Sequence, residues 1–178
     1  HSEMIGFLAQ IGKKTGFDVW IGQREQSEVF QENPLAQLCD FKELSLLEMS
    51  PNDVENYAKH IDVMWIKNGK IAFAFEVEYT TLITDAFMRC SNIPESYDAS
   101  RFIVIPKERE RFMYRKLNSE LLRESVKKQS WRLIFFEELR HLYNETKSKR
   151  ELPIGAILTI AKTPIGEREK QATIDLFS

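Results

Sequence analysis

The sequence predicts an α/β fold in which a single mixed β-sheet is flanked by helices on both faces. Two apolar, β-rich runs, 61–66 and 70–79, are separated by Asn68-Gly69, a dipeptide typical of two-residue hairpin turns. A helical pattern then precedes a nearly all-apolar run at 101–106, which is typical of a buried parallel strand. Since amphipathic helical segments alternate with such runs, one sheet covered on two sides accommodates all of them.

The segment before the hairpin predicts two helices and a short strand. A first amphipathic helix is expected over 3–14, where apolar residues recur at helical spacing: Met4, Phe7, Leu8 and Ile11. Residues 17–22 alternate apolar with small or polar side chains, which predicts a strand, and a Gln-rich and Glu-rich loop follows. Ser50 and Pro51 are typical of an N-cap and a first helical position, so a second helix is expected to run to about residue 59.

The hairpin is followed by a helix and then by the apolar strand at 101–106. Thr80 or Thr81 is expected to cap this helix, which continues to about Tyr97 and is ended or kinked by Pro94. Farther along, we expect a charged helix over 108–122, a strand over 131–136, a helix over 137–147 and a last strand over 154–160.

A single domain is predicted. A chain of 178 residues, 43% of them apolar, can form one core of ordinary size, and no internal repeat or linker divides it. The core is expected over about residues 3–106, with a C-terminal extension over 107–178. Because the chain begins at His1 rather than at a methionine, we expect it to be either trimmed at its start or part of a longer protein.

The composition excludes several classes of protein. A net charge of −2 excludes a uniformly basic nucleic-acid binder, although residues 101–150 hold 14 basic against 7 acidic residues. Cys39 and Cys90 lack a CxxC pattern, which argues against a disulfide framework or a structural zinc site and favours a cytoplasmic location. No apolar run reaches the length of a membrane span, so no membrane partner is expected.

Three acids in the hairpin carry the functional signal. Glu76 and Glu78 are two residues apart in a strand, so both side chains leave the same face of the sheet. A regular two-residue turn places Asp62 opposite Phe75, one step from Glu76, and a bulge or splayed strands would bring the two acids together. Surface glutamates on an edge strand are the ordinary explanation of such a pattern, but the apolar flanks here predict burial.

Carboxylates that share a buried site need a proton or a cation between them. Mg²⁺ takes oxygen ligands and uses one or two carboxylates, with water and substrate phosphate in its remaining positions. Asp62 and Glu76 are therefore candidate metal ligands, and Mn²⁺ is a candidate substitute for Mg²⁺.

These residues resemble the restriction-endonuclease-like nucleases, the PD-(D/E)xK superfamily. Its pattern is an Asp on one strand, then (D/E)-x-K on the hairpin partner, then a helix and a further strand. Here Asp62 and Glu76-Val77-Glu78 match that order as an E-x-E variant. The string from Phe75 to Thr81 is also similar to one in uncharacterised bacterial restriction-related proteins. The resemblance covers residues 3–106 and implies an αβββαβ core.

The resemblance implies a Mg²⁺-dependent endonuclease of restriction or defence type, acting on double-stranded DNA and leaving 5′-phosphate and 3′-hydroxyl ends. By the same resemblance, Asp62 and Glu76 hold the metal. Glu78, which stands where most members have Lys, orients or deprotonates the attacking water or binds a second ion. Asp62, Glu76 and Glu78 are thus the expected catalytic residues, and a homodimer is a candidate assembly.

The basic residues after the strand at 101–106 are candidates for DNA phosphate contacts, with a solvated helix face as the equal alternative. They are Lys107, Arg109, Arg111, Arg115 and Lys116. Aromatic residues in this half are expected in the core rather than stacked on bases. Arg89 is a candidate to point back toward the acids, and His60 is expected to be structural rather than a ligand or base.

Two other functions are open to the sequence. A non-catalytic DNA-binding or assembly module that retains the nuclease fold is compatible with Glu78 in place of Lys. A sugar hydrolase with Glu76 and Glu78 as its acid and base is disfavoured, because residues two apart on one strand do not face each other across a substrate. The chain has no glycine-rich nucleotide loop.

Overall fold

The computed structural model describes residues 1–79 and 83–164. The α-helices are α1 (Ser2–Lys14), α2 (Pro51–Asn56), α3 (Ile83–Ser91), α4 (Glu110–Leu117), α5 (Arg123–Lys128) and α6 (Phe136–Thr146). The strands are β1 (Asp18–Ile21), β2 (Val29–Phe30), β3 (Asn33–Pro34), β4 (Val63–Lys67), β5 (Lys70–Val77), β6 (Ser100–Ile105) and β7 (Trp131–Phe135). Short 3₁₀ helices are Glu25–Ser27, Leu35–Leu38, Ala58–His60, Glu95–Tyr97, Lys107–Arg109 and Ile154–Ile160.

The main sheet has five strands in the order β1-β4-β5-β6-β7. The pairs β1 with β4 and β4 with β5 are antiparallel, whereas β5 with β6 and β6 with β7 are parallel. Strands β2 and β3 form a separate small hairpin. The predicted α/β fold with one mixed sheet is confirmed.

Each face of the main sheet carries its own apolar core. One core joins α1 and α6 to β5 through Phe73, Phe75 and Val77. The other joins α3 and α4 to the opposite face, to which β5 contributes Ile71 and Ala74. Helices therefore cover both faces, as predicted, and Glu76 belongs by strand alternation to the α3 face.

The hairpin contains the predicted turn and an irregularity beside it. Asn68 and Gly69 both have positive φ, 52° and 71°, as a type I′ turn requires. The register then shifts between Trp65 and Ile66, because Ala72 is an extra residue on β5. Beyond this bulge Val63 pairs with Phe75 rather than with the residue before it.

The predicted last strand over 154–160 is wrong, since this segment forms a 3₁₀ helix. Pro153 precedes the helix as its N-cap residue, and after the helix an isolated bridge joins Lys162 to Leu133 of β7. The apolar residues of the segment are buried without strand pairing: Ala156 and Ile157 lie in the core shared with α1 and α6.

Helix ends were predicted less well than helix positions. The predicted N-cap is confirmed, because the Ser50 hydroxyl accepts the Asp53 N–H, but α2 ends at Asn56 rather than near residue 59. Helix α3 ends at Ser91 rather than near Tyr97, in keeping with the restriction that Pro94 places on the residue before it. The cap expected at Thr80 or Thr81 lies outside the described residues.

Two further segments differ from the prediction. The predicted helix over 108–122 is divided into a 3₁₀ turn and α4, and α5 follows it. Strands β2 and β3 form where a loop was predicted, because Gln31 and Glu32 take positive φ and close a tight turn. Cys39 and Cys90 are free, as expected. Among the helices described, none combines the length and apolar composition of a membrane span.

Arg101 fixes the end of α3 against the sheet. This buried side chain donates hydrogen bonds to the carbonyls of Cys90 and Ile93, just after Arg89, and to those of Ala99 and Gln129. A guanidinium satisfied by four carbonyls is held in one position, so the C-terminal end of α3 is held as well.

The contact of α1 with β4 leads to a stability prediction. A Cβ at Gly12 would clash with the indole of Trp65, which is fully buried and donates to the Leu8 carbonyl at 3.1 Å. We expect Gly12→Ala to lower the free energy of unfolding by about 1–3 kcal/mol, despite the better helix propensity of alanine. Urea unfolding followed by tryptophan fluorescence measures the change.

Gly155→Ala is the matched control, because a Cβ there meets no atom within 4 Å. Its urea midpoint should stay near that of the wild type. Equal midpoints for Gly12→Ala and Gly155→Ala would contradict the close approach of α1 to β4.

Candidate functional site

Asp62 and Glu76 lie side by side. Asp62 immediately precedes β4 and Glu76 is next to last in β5, and the pairing of Val63 with Phe75 places them in line with each other. The Asp62 carboxylate accepts the Val77 N–H at 2.7 Å, which fixes its position against β5. The bulge that the sequence left open is present and brings the two acids together.

Glu76 is bound by Arg89 through both of its oxygens. Its side chain has no exposed surface, and Arg89 donates from Nε to Oε1 at 2.9 Å and from Nη2 to Oε2 at 2.5 Å. The Cys90 thiol lies 3.8 Å from Oε1. Arg89 therefore points back toward the acids, as the sequence suggested.

The electrostatics of this pair follow from burial. Burial raises the pKa of Glu76 well above its ordinary value, the charge of Asp62 adds to the rise, and Arg89 opposes it. Burial lowers the pKa of Arg89, but its hydrogen bonds to Glu76 and the charge of Glu76 outweigh burial, so the net shift is upward. Arg89 is thus the cation that favours the ionised form of Glu76.

A second cation lies near Asp62. The His1 imidazole is 3.6 Å from Asp62 Oδ2 and 3.5 Å from Glu28. The Asp62 carboxylate raises the pKa of His1 to about 9, against the lowering effect of burial. At neutral pH the imidazole is consequently protonated and offsets the charge of Asp62.

Glu25 is a fourth acid at this site that the sequence did not indicate. It opens the 3₁₀ helix that follows β1, and the Gly22 N–H donates to the Asp62 carbonyl at 3.0 Å, which brings this segment beside Asp62. Within the described part of the chain, Glu25 Oε2 is buried without a hydrogen-bond partner. Burial raises the pKa of Glu25, and the charge of Asp62 raises it further.

Glu78 is placed beyond the end of β5 and is partly exposed. Its N–H donates to the Val104 carbonyl at 2.9 Å, so the backbone continues along β6. Strand parity directs its side chain to the same face as Glu76, and its charge contributes to the raised pKa of Glu76, after burial and Asp62.

The predicted basic residues follow β6, the parallel neighbour of β5. Lys107 and Arg109 lie in the 3₁₀ turn, and Arg111, Arg115 and Lys116 lie on α4. Arg111 and Arg115 are exposed, and Lys107 pairs with Glu110 at 2.8 Å. This segment begins at the edge of the sheet where Glu78 lies, because β5 and β6 run in the same direction.

His60 differs from His1 in that its surroundings lower rather than raise its pKa. It ends a 3₁₀ helix, and burial together with the charges of Lys59 and Arg24 lowers its pKa. Burial and these neighbouring cations therefore favour the neutral imidazole of His60.

Asp62 and Glu76 are the carboxylates of this site that could bind a divalent cation. In residues 1–79 and 83–164, no three His, Cys, Asp or Glu side chains form a group that could hold a metal ion. Mg²⁺ needs only one or two carboxylates and completes its shell with water. Asp62 and Glu76 are adjacent carboxylates whose oxygens are the kind of donor that Mg²⁺ prefers. In this structure the side chains of His1 and Arg89 lie beside them. The chemistry of the two acids therefore fits a divalent cation.

The chain was compared with known proteins. The family model described as the C-terminal domain of the type II restriction enzyme NmeDI matches residues 1–157. No curated protein and no solved structure matched the chain.

Glu25 gives a prediction about stability and pH. The ordinary pKa of 4.5 is raised in the folded state, so the folded protein holds this proton at pH values where the unfolded chain has lost it. The contribution of Glu25 to wild-type stability should therefore fall as pH rises from about 4.5 through the folded pKa. The Glu25→Gln variant has no carboxyl group to ionise here, so its stability does not fall in this way. We therefore expect the urea midpoint of Glu25→Gln, relative to that of the wild type, to rise between pH 5 and pH 8.

Glu43→Gln, at an exposed position, is the control and should follow the wild type. A gain for Glu25→Gln that is the same at pH 5 and pH 8, or a lower midpoint at pH 8, would contradict the buried, unpartnered carboxylate.

Proposed function

Since the chain belongs to the family of the C-terminal domain of the type II restriction enzyme NmeDI, we propose that it hydrolyses phosphodiester bonds in double-stranded DNA with the help of Mg²⁺. One observation carries the proposal: two almost fully buried carboxylates, Asp62 and Glu76, lie side by side at the end of a hairpin. Neighbouring buried acids are costly unless a cation offsets their charge, and metal-dependent nucleases use such a cation to hydrolyse DNA.

Asp62 and Glu76 are proposed as the metal ligands, with Mn²⁺ as a substitute for Mg²⁺. A cation held there would supply positive charge at a phosphate oxygen and would lower the pKa of water bound to it. Asp62 is held for this task by the Val77 N–H, so one of its oxygens keeps a fixed direction. Glu76 reaches the same place from the neighbouring strand.

Glu78 is proposed to orient the attacking water or to take its proton. Its partial exposure suits this role, because a carboxylate near solvent can exchange protons more readily than the fully buried Glu76. Its backbone is fixed to Val104, so the side chain starts from a rigid position on the face of Glu76. Proton transfer at Glu78 needs no lysine at this position.

The basic segment after β6 is proposed to hold the DNA backbone. Arg111 and Arg115 are exposed on α4, one turn apart, and Lys107 starts the segment at the sheet edge. Exposed guanidinium groups bind phosphate oxygens and release counterions, which makes binding sensitive to salt.

A non-catalytic DNA-binding module is the second candidate. It is favoured by the bidentate contact of Arg89, which takes both oxygens of Glu76, together with Glu78 in place of the lysine. DNA binding without cleavage at any Mg²⁺ or Mn²⁺ concentration would select this candidate.

Cleavage of plasmid DNA tests the proposed reaction. Asp62→Asn and Glu76→Gln keep the shape of each side chain and one of its acceptor oxygens but remove its charge. We expect each variant to lose cleavage by about 10²-fold or more, and EDTA to stop the wild type. Gel assays with Mg²⁺ or Mn²⁺ on supercoiled and single-stranded DNA provide the measurement.

Glu43→Gln is again the control, because it removes one acid at an exposed site. It should cleave as the wild type does. Full cleavage by folded Asp62→Asn or Glu76→Gln would rule out the proposed metal site.

The salt dependence of DNA binding tests the basic segment. Removing one side chain that binds a phosphate should reduce the slope of log K against log salt by about one. We expect this change for Arg111→Ala and for Arg115→Ala, measured by fluorescence anisotropy in Ca²⁺ with a labelled duplex. Lys70→Ala, at the exposed hairpin turn, should leave the slope unchanged. Unchanged slopes for both arginine variants would mean that α4 does not bind the DNA backbone.

A further inference from the structure

We propose that Arg89 and a divalent cation occupy Glu76 in turn, so that Arg89 is an internal competitor which must leave this carboxylate before the cation binds. The inference rests on the proposed metal site and adds how access to that site is controlled. It concerns an ion pair whose cation, Arg89, lies on α3, outside the E-x-E motif.

The ion pair covers the oxygens that a metal would need. Arg89 reaches Oε1 and Oε2 of Glu76 with two parallel hydrogen bonds, at 2.9 and 2.5 Å. Mg²⁺ binds carboxylate oxygen at about 2.0–2.1 Å, which is closer still. A cation on either oxygen would therefore lie directly against the guanidinium. The Glu76 side chain has no solvent-exposed surface, so little water is there to screen the two charges. Repulsion between like charges is strong in such surroundings.

Cationic side chains already lie beside both acids. Arg89 binds Glu76 through both of its oxygens, and the His1 imidazole lies 3.6 Å from Asp62 Oδ2. A divalent cation would bring two more positive charges next to Arg89. Arg89 is the group that occupies Glu76 directly, so it is the one that must withdraw before the cation binds.

Arg89 can withdraw without moving its helix. Its side chain is 21% exposed whereas that of Glu76 is 0% exposed, so the guanidinium borders solvent and the carboxylate does not. Arg101 binds the Cys90 and Ile93 carbonyls and holds the C-terminal end of α3. Release of Arg89 is therefore a rotation of one long side chain toward water.

Direct measurement of Mn²⁺ binding tests the proposal without any cleavage assay. Electron paramagnetic resonance counts free Mn²⁺ in titrations of the whole chain. Arg89→Met removes the charge and keeps most of the side-chain volume, and we expect it to bind Mn²⁺ about tenfold more tightly than the wild type. Arg140→Met is the matched control, since Arg140 also pairs with a carboxylate, Glu3, at 2.8 Å. Its Mn²⁺ affinity should equal that of the wild type.

The titration is repeated from pH 7 to pH 9, because Glu76 without Arg89 can take up a proton that also competes with the metal. An Arg89→Met affinity equal to or weaker than that of the wild type at every pH overturns the proposal. Arg89→Lys provides the second variant if Arg89→Met does not fold, as judged by circular dichroism. A single ammonium cannot span both oxygens, so Arg89→Lys should bind Mn²⁺ more tightly than the wild type, and equal or weaker binding also overturns the proposal.

Glu76→Gln separates failure of this inference from failure of the proposed function. Wild-type Mn²⁺ binding that disappears in Glu76→Gln, without tighter binding in Arg89→Met, keeps the metal site and overturns the competition. Absence of Mn²⁺ binding in both the wild type and Arg89→Met overturns the metal site and the competition together.

Discussion

A carboxylate with no exposed surface is costly to ionise unless a cation lies beside it, and in this protein that carboxylate is Glu76. Arg89 supplies the cation through two hydrogen bonds. Helix α3 must therefore lie where Arg89 can reach β5, and Arg101 fixes its C-terminal end by binding four backbone carbonyls. Separating Arg89 from Glu76 would leave a buried charge alone, so this ion pair constrains where α3 packs on the sheet.

The pairing of β4 with β5 brings Asp62 and Glu76 together, and the basic segment follows β6, the next strand of the sheet. Asp62 and Glu76 meet across β4 and β5, and the basic segment begins where β6 ends, one strand farther on. Because β5 and β6 are parallel, the acid of β5 and the cations after β6 share one edge of the sheet. Open α/β sheets commonly bind ligands at the carboxyl ends of their strands. Acidic residues of the hairpin and basic residues of the segment after β6 thus lie at the same edge of the sheet.

Local patterns in the sequence were sufficient for most of the fold. The Asn68-Gly69 turn, the parity of Glu76 and the parallel strand after α3 depend on neighbours along the chain, and all were predicted. The predicted strand over 154–160 failed, because apolar residues next to Pro153 pack well as a 3₁₀ helix without pairing. Glu25 gave no signal, since its position depends on β1 pairing with β4 across a long separation. Asp62 directly precedes β4, so the pairing of β1 with β4 is what brings the segment after β1, with Glu25, beside Asp62.

The bulge on β5 has a consequence for how relatives of this chain should be aligned. Ala72 and Phe73 both face the core that contains α1, so Ala72 is the added residue of the bulge. Every β5 residue after Ala72 points to the same face of the sheet as it would in a strand without the bulge. A chain lacking Ala72 would form a regular ladder with the same acids in line. The number of residues between the two acids can therefore differ by one among relatives, and a motif search should permit a gap between Gly69 and Glu76.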